Sequence, residues 1–495
     1  MTSPEAFAGP TATGAPAFLA QTNPAPFLSA SYIPPQPLET QIPINGAPLD
    51  GNIYQLQGQL SHYFPNTRGF GVDEYPLPEG AEITQLHMIH RHGSRYPEIG
   101  TPAVLGKLVN NTGKFNATGD LAFLNSWTNS LGEEILVPVG NQELFDSGVL
   151  HQVSAALALV ASGTYLYGHL YPNDGSKIVA RTTTQDRMRK SAEYFLAGFF
   201  GLQWQNNATL EAIIELETGD CNFNNSLSGN TCCPNYYNFR NAGGKNASVA
   251  WQKVYLADAH RRIQSQVPGF NFSIGDIYDL QSLCAYETVS IGYSHFCGLF
   301  TYEEWKGYEY GTDLDVTGGN TFASPVGRAV GIGWVEEFKA RLQGHLITSH
   351  DTNTWSYLTA LGLKQFAPIL PTTHIERDRS QVRSYLTPFG GRVDIEVITA
   401  QRAVPRLRQQ STPTTSSNTS EPVQYIHFLI GQRTVPLHAS YSKCPCRDDG
   451  WCELGAFLNT TANTLEENRY EFACFGEYEE PYGQVTNGAP TTPEV

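Results

Sequence analysis

Two arginines and a histidine lie close together in the segment "RHGSRYP", residues 91–97. Arg91 and Arg95 can aim two guanidinium groups at one point, which makes a planar, bidentate cradle for an oxyanion such as phosphate. Nearby positive charge disfavours the protonated form of His92, so its imidazole can stay a neutral nucleophile. The arginines would stabilise the phosphoryl oxygens during attack on phosphorus. The segment therefore predicts a phosphoryl-transfer site with His92 as the nucleophile.

The pattern R-H-G-x-R-x-P is specific, because its chance occurrence in a chain of this length is well under about one in a thousand. The alternative is a surface loop that carries ordinary charges. His87 and His90, by contrast, lie within the apolar stretch just upstream. We expect structural roles for both of these histidines.

A buried strand is predicted over "EITQLHMIH", residues 82–90, directly before the segment. Residues at the carboxyl end of a strand in an α/β sheet face the ligand crevice. Gly93 lets the backbone turn closely, and Pro97 fixes the exit. The hydrophobic pattern predicts further strands over residues 177–182, 210–218, 345–349, 392–400 and 425–431. It predicts helices over residues 142–161, 185–200, 248–267, 274–292, 327–344 and 352–363.

This alternation of strands and helices indicates an α/β sheet that is covered by helices on both faces. Few strands are predicted between residues 219 and 318, which we interpret as a helical insertion. The α/β catalytic domain is then discontinuous, over residues 61–218 and 319–495. Residues 1–60, rich in Pro, Ala, Thr and Gly, are predicted to be an extended arm, although simple disorder explains them equally well.

The charge balance excludes some partners. The chain has 31 Lys and Arg against 47 Asp and Glu, a net charge of −16. A field of this sign disfavours binding to nucleic acid or to an anionic membrane surface. No apolar run approaches the length of a membrane span.

Nine cysteines occur in clusters without zinc-finger spacing, which favours disulfides and leaves at least one cysteine without an intrachain partner. Together with eight N-x-S/T sequons they indicate a secreted protein. The first 27 residues lack the basic and apolar regions of a secretory signal. We therefore expect that a leader has been removed or that the sequence begins after it. The sequons begin at Asn110, Asn116, Asn207, Asn224, Asn246, Asn271, Asn418 and Asn459.

Three segments together resemble the histidine acid phosphatase family, and most of all its fungal acid phosphatase and phytase branch. "RHGSRYP" is similar to the family signature, "SHDTNTW" (349–355) to its downstream His-Asp pair, and "RTTTQDRMRKSAEYF" (181–195) to the motif of its third arginine. The similarity spans about residues 61–475. It implies a phosphoglycerate mutase-like α/β sandwich with an inserted, mostly helical domain.

The resemblance also implies catalytic roles. His92 would attack phosphorus and form a phosphohistidine, which water then hydrolyses. Asp351 would protonate the leaving oxygen and later help to activate the water. No metal ion or other cofactor is expected, because arginines supply the positive charge.

Four further residues complete the implied phosphate site. Arg91, Arg95 and Arg181 would bind the phosphate, and His350 would donate a hydrogen bond to a phosphoryl oxygen. Arg187 also fits the arginine motif, but we expect it to form a structural ion pair.

The family layout implies disulfide pairs only loosely. Cys284–Cys297 is the first pair. Cys452 would join Cys446 or Cys444, with Cys446 preferred. Cys474 would join Cys232 or Cys233, with Cys232 preferred.

The predicted function is a secreted, metal-independent acid phosphomonoesterase that hydrolyses phytate among other phosphomonoesters. A phytate pocket needs basic residues beyond the catalytic arginines, and the residues after the signature supply only Lys107; the insertion could add Lys245, Arg261 or Arg262. A broad-specificity acid phosphatase with little phytase activity is therefore one alternative. An inactive scaffold that binds phosphorylated ligands is another.

Two related enzymes fit less well. The inositol polyphosphate phosphatase branch carries His-Ala-Glu in place of His-Asp, and phosphoglycerate mutase-like transferases are compact and cytosolic. Some relatives assemble through an N-terminal extension, so residues 1–60 could support a homo-oligomer.

Overall fold

The computed structural model describes most of the chain outside the N-terminal region. The described residues are 44–48, 51–156, 167–172, 174–221, 225–342, 351–408, 421–462 and 464–491. Seven strands occur among them: β1 (Ala81–His90), β2 (Ile178–Thr183), β3 (Leu210–Glu215), β4 (Arg392–Ala400), β5 (Val423–Ile430), β6 (Arg433–Thr434) and β7 (Cys452–Glu453).

Thirteen α-helices occur in the same residues, and seven of them overlap the six predicted helices, because residues 248–267 form parts of two helices instead of one. They are α1 (Ala103–Asn110), α2 (Pro138–Ala156), α3 (Asp186–Phe200), α4 (Gly243–Tyr255), α5 (Ala257–Gln264), α6 (Ile274–Ile291), α7 (Tyr302–Asn320), α8 (Gly327–Arg341), α9 (Asp351–Leu361), α10 (Arg383–Leu386), α11 (Leu454–Thr460), α12 (Thr464–Glu467) and α13 (Tyr470–Phe475). The strand predicted over residues 345–349 lies outside the described residues.

The main sheet has the order β1-β4-β5-β6, with β7 also paired to β5, and all of its described pairs are antiparallel. β2 and β3 form a separate parallel pair. Ile89 on β1 packs in a core with Trp334 of α8 and Trp355 of α9. Met88, on the opposite face, packs with Leu144 of α2 and Phe195 of α3. The sheet is therefore covered by helices on both faces, which confirms the predicted α/β fold.

The described residues between 225 and 320 form helices and 3₁₀ turns, and they include no strand. Capping boxes begin the two longest helices of this region: Ser273 pairs with Asp276 at the start of α6, and Thr301 pairs with Glu304 at the start of α7. The helical character of the insertion is thus as predicted. Its exact limits as a domain stay a prediction.

The end of the predicted N-terminal arm packs against the body of the protein. Residues 53–55 and 58–60 form short 3₁₀ turns, and Ile53, Tyr54 and Leu56 are buried in one core cluster with residues of α1, α5 and α6. These apolar side chains hold residues 53–56 against the helices, and the limit of the arm as a domain stays a prediction. Residues 1–43 lie outside the described residues.

Three disulfides form among the nine cysteines, all of which are described. Cys284–Cys297 confirms the first predicted pair. Cys233, not Cys232, joins Cys474. Consecutive residues point in different directions: Cys233 is fully buried beside α8 and α13, whereas Cys232 is partly exposed.

The third disulfide joins Cys444 to Cys452, so the preference for Cys446 is wrong. Cys444 is buried in the main core, which also contains Cys452. The side chain of Cys446 is exposed, and its sulfur lies 3.5 Å from Nε2 of His438. Cys444 therefore pairs with Cys452 because both side chains are buried in the same core, whereas that of Cys446 is exposed.

Most of the predicted glycosylation sites are accessible. Asn224 and Asn418 lie outside the described residues, and Asn207 is half-buried. Exposed sequon residues are Asn110, Asn116, Asn246, Asn271 and Asn459. Among the described helices, none combines the length and the apolar character that crossing a bilayer requires.

Candidate active site

The signature loop, residues 91–97, begins where β1 ends, and hydrogen bonds of its backbone hold it in place. The Arg91 N–H donates to the Gly391 carbonyl (2.8 Å), and the Gly390 N–H donates to the His92 carbonyl (2.9 Å). On the other side, a Cβ on Gly93 would lie 2.3 Å from the carbonyl oxygen of Gly140 in α2. Only glycine allows this close approach, so the loop is clamped between α2 and the turn that precedes β4.

The His92 side chain is buried, and its tautomer follows from one hydrogen bond. Nδ1 lies 2.9 Å from the carbonyl oxygen of Gly93. A carbonyl can only accept, so Nδ1 carries the proton and the lone pair of the neutral ring is on Nε2. Nε2 is therefore the nitrogen that can act as a nucleophile.

The Arg91 guanidinium is buried beside this ring and fixed in orientation. It donates to the carbonyl oxygens of Gln59 and Thr387, the latter at 3.0 Å. Its Cζ lies 4.6 Å from the centroid of the Phe389 ring, and the His92 ring lies 5.8 Å from the same centroid. A cation that is stacked and hydrogen-bonded in this way needs little reorganisation to receive an anion.

The Arg95 side chain, 7% exposed, lies in a network with two carboxylates. It donates to Glu98 Oε1 at 2.7 Å and to the Tyr96 carbonyl at 2.9 Å. Arg187 contacts Glu98 at 3.5 Å and Glu134 at 2.5 Å, which confirms the predicted structural ion pair. The positive charge at this side of the site is thus partly balanced by protein carboxylates.

Arg181 lies on β2 and is also buried. It forms ion pairs with Glu215 of β3 and Glu337 of α8, and it donates to Ser226 Oγ at 3.2 Å. Its assignment to the phosphate site stays a prediction. To bind phosphate it would share its donors between the ligand and these carboxylates.

Of the predicted His-Asp pair, only the backbone of Asp351 is described, as the first residue of α9. The Asp351 side chain and all of His350 lie outside the described part of the structure. One turn further along, Trp355 Nε1 donates to Thr387 Oγ1 at 2.9 Å. The carbonyl of Thr387 also accepts a hydrogen bond from Arg91, so Thr387 connects Trp355 of α9 to the signature loop.

A second connection joins the same helix to the third arginine. Asn353 Nδ2 donates to the Leu227 carbonyl at 3.1 Å. The neighbouring Ser226 hydroxyl accepts from Arg181. Asn353 and Arg181 are thus held by neighbouring residues, and the assembly of the three predicted segments into one phosphate site stays a prediction.

Glu143 of α2 supports the site and was missed by the sequence reasoning. Its Oε2 accepts from the Ser94 N–H (2.7 Å), and its Oε1 accepts from the Ser94 hydroxyl (2.9 Å) and the Tyr63 N–H (2.9 Å). Burial raises the pKa of this carboxyl to about 7. Nothing in "NQELFDSG" marks this glutamate, because its partners lie 49 and 80 residues away in sequence.

A family model described as "Histidine phosphatase superfamily (branch 2)" matches residues 82–430. The chain belongs to this superfamily. The resemblance to histidine acid phosphatases is thereby confirmed.

Individual relatives agree with this membership. The chain is 27% identical to "Phytase PHO112" of Candida albicans, over 82% of this chain and 84% of that protein. It is 27% identical to "Probable acid phosphatase DIA3" of Saccharomyces cerevisiae, over 84% of each. The crystal structure of the phytase from D. castellii superposes with a TM-score of 0.69 at 22% identity, over 87% of this chain and 89% of that one, which shows the shared fold. The chain is a phosphomonoester hydrolase of the histidine phosphatase type.

Proposed function

We propose that the protein hydrolyses phosphomonoesters through a phosphohistidine on His92, and that phytate is among its substrates. The observation that carries the mechanism is the Nδ1–H···O=C bond to Gly93, which directs the lone pair of a buried imidazole to Nε2. In the first step Nε2 forms a bond to phosphorus while the bond to the leaving oxygen breaks. Arg91 and Arg95 balance the charge on the phosphoryl oxygens.

Asp351 is the proposed proton donor to the leaving oxygen, and His350 the proposed donor to a phosphoryl oxygen. An alkoxide is a poor leaving group, so it needs that proton as the P–O bond breaks. In the second step a water oxygen bonds to phosphorus while the P–Nε2 bond breaks, so that the His92 imidazole leaves and inorganic phosphate is formed, and the Asp351 carboxylate takes a proton from the water. The protein is regenerated without a redox or metal step.

The substrate preference follows from the charges around the site. Lys107, the basic residue expected to help hold phytate, contacts both oxygens of Asp276 at 2.6 and 2.7 Å. Arg262 forms an ion pair with Glu304 at 2.8 Å, and Arg261 pairs with Asp258. These pairs lower the positive potential available to a polyphosphorylated ring. We therefore infer a permissive site that accepts simple esters as well as phytate, the substrate after which the related phytases are named.

We also propose that the protein is secreted. Three disulfides are typical of an oxidising compartment, and five of the sequon asparagines are exposed. Mass spectrometry of the protein purified from culture medium, before and after removal of N-glycans, tests this directly. Recovery of unglycosylated protein from the cytosol alone would contradict it.

The mechanism can be tested by the leaving group. Asp351→Asn should slow turnover of phytate by about 10²- to 10⁴-fold, because an alkoxide needs the general acid. Turnover of p-nitrophenyl phosphate should fall far less, since p-nitrophenolate leaves without a proton. The matched control is Asp258→Asn, whose carboxylate is exposed and paired with Arg261. Equal losses on both substrates would remove Asp351 from the role of acid, and a wild-type protein that turns over neither would favour the inactive scaffold.

A further inference from the structure

Three buried side chains that the proposed reaction does not use meet beneath the signature loop. His90 is the last residue of β1, His151 lies in α2, and Asp394 lies on β4. One ligand atom from each lies within 4.8 Å of the other two. The three residues are 2–5% exposed, so water does not solvate them freely.

The pairing of β1 with β4 explains how two of them meet. His90 lies opposite Arg392 in the antiparallel register, and Asp394 lies two residues further along β4 on the same face. His151 reaches this face from α2, and its ring lies 5.7 Å from that of His90. No local sequence pattern connects these positions, which are up to 304 residues apart.

The hydrogen bonds of His151 leave two acceptors facing each other. Its Nδ1 lies 2.6 Å from the Ser147 carbonyl, which can only accept, so Nδ1 carries a proton. Its Nε2 lies 3.4 Å from Asp394 Oδ1. A lone pair that faces a carboxylate oxygen is unfavourable unless a proton or another cation lies between them.

His90 adds a third donor atom. Neither ring nitrogen of His90 has a hydrogen-bond partner among the described residues. Buried polar atoms normally have partners, so these two ring nitrogens indicate a missing occupant.

We propose that His90, His151 and Asp394 form a binding site for a divalent transition-metal ion such as Zn²⁺. Two imidazole nitrogens and one carboxylate oxygen are a common ligand set for zinc, with a fourth position left for water.

The surroundings set the expected affinity. Arg392 Nε lies 3.9 Å from the other oxygen of Asp394, and Arg392 also donates to Ser147 Oγ at 2.7 Å. Tyr167 stacks on the His151 ring and donates to Glu396, which is itself paired with His427. The nearby arginine repels a cation, and the ligand atoms must close in to reach bond lengths of about 2.0–2.2 Å. The site is therefore expected to bind more weakly than a structural zinc site.

The location gives the ion a consequence for the nucleophile. His90 precedes the Arg91-His92 pair directly, and His90 and His92 line the same small cavity with Leu144, Met188 and Phe195. Ligation that draws the His90 ring towards β4 moves the end of β1 on which His92 depends. An occupied site should therefore slow turnover reversibly. The expected inhibition rests on the proposed function, whereas the expected metal binding does not.

Binding can be measured without activity. The chelator-treated, phosphate-free protein is titrated with Zn²⁺ by calorimetry at neutral pH, and with Co²⁺ by visible absorption. We expect one ion per chain and the d–d bands of cobalt in a low-coordinate site. His151→Gln and Asp394→Asn should each weaken binding by more than the roughly 10- to 100-fold that loss of an outer-shell partner costs.

Controls separate this site from other ligands. His87→Gln removes a buried histidine of the same strand that contacts Phe338, and it should leave binding unchanged. Cys446→Ser, which removes the thiol beside His438, and His92→Ala should also retain it. Failure of the wild-type protein to bind, or binding that survives Asp394→Asn and His151→Gln, would overturn the proposal. A His92→Ala protein that binds zinc but has no turnover would leave both the metal site and the proposed function standing.

Discussion

Replacing Glu143 by glutamine should loosen the signature loop without changing its size. The two carboxylate oxygens of Glu143 accept from the backbone N–H groups of Ser94 and Tyr63, at 2.7 and 2.9 Å. Both oxygens of a carboxyl group keep a lone pair even when the group is protonated, whereas an amide has one acceptor oxygen, so the NH₂ group of glutamine must face one of these N–H donors. The variant therefore leaves one buried backbone donor without an acceptor.

The magnitude follows from that single lost partner. A buried donor left unsatisfied costs about 1–3 kcal/mol. For a chain of 495 residues the unfolding entropy is about 1 kcal/mol per degree, so the midpoint of thermal unfolding should fall by about 1–3 °C. Because Ser94 is two residues from His92, a shift of the loop should also lower kcat, by up to about 100-fold.

The pH dependence gives the sharper test. Burial raises the pKa of Glu143 from 4.5 to about 7 in the folded protein. Folding then favours the protonated carboxyl, a contribution that is fully present below pH 4.5 and is lost as the pH rises through 7. Glutamine does not titrate, so the deficit of Glu143→Gln should be largest below pH 4.5 and should shrink as the pH rises from there through about 7.

The assay is thermal unfolding of both proteins over this pH range, with kcat measured beside it. Asp146→Asn is the control, because Asp146 lies on the same helix and contacts Gln142 instead of the signature loop. A deficit that grows as the pH rises would mean that the folded protein favours the carboxylate, and it would refute the reasoning.

Three further outcomes are expected. Gly93→Ala should lower the free energy of unfolding by about 1–3 kcal/mol and remove most of the activity, because its Cβ would lie 2.3 Å from the Gly140 carbonyl oxygen. Gly106→Ala on α1 is the control and should not destabilise the protein, because a Cβ there meets nothing within 4 Å. Equal melting temperatures of the two variants would contradict this. Cys444→Ser should destabilise the protein by about 2–5 kcal/mol, and Cys446→Ser should not; the opposite ranking would mean that Cys446 forms the disulfide. EDTA should leave the turnover of zinc-free enzyme unchanged, and strong inhibition would contradict catalysis by arginines alone.

The parts of the site that depend on contiguous sequence could be predicted. The strand that ends at His90 and the loop that follows it are local, and the structure places both as expected. The ion pair of Arg187 was also predictable, because Arg181 was assigned to the phosphate and Arg187, the second arginine of the motif, to a structural role. Similarly, Cys284 and Cys297 are only 13 residues apart, so their pairing needed little tertiary information.

What could not be predicted depends on which way a side chain points after folding. Cys232 and Cys233 are adjacent in sequence, and only Cys233 points into the core between α8 and α13 where Cys474 lies. In the sequence Glu143 cannot be distinguished from other helical glutamates, because its hydrogen bonds to Ser94 and Tyr63 form only when distant segments come together. His90 was interpreted as structural because a histidine on an apolar strand usually is; its meeting with His151 and Asp394 comes only from the register of β1 with β4.

The most direct test of the central claim is to trap the covalent intermediate. The enzyme is mixed with ³²P-labelled phosphomonoester and quenched in alkaline denaturant, which preserves phosphorus–nitrogen bonds, and the labelled peptide is then sequenced. We predict label on His92 in the wild-type protein and none in His92→Ala. Label on any other residue, or label that persists in His92→Ala, would contradict the assignment of His92 as the nucleophile.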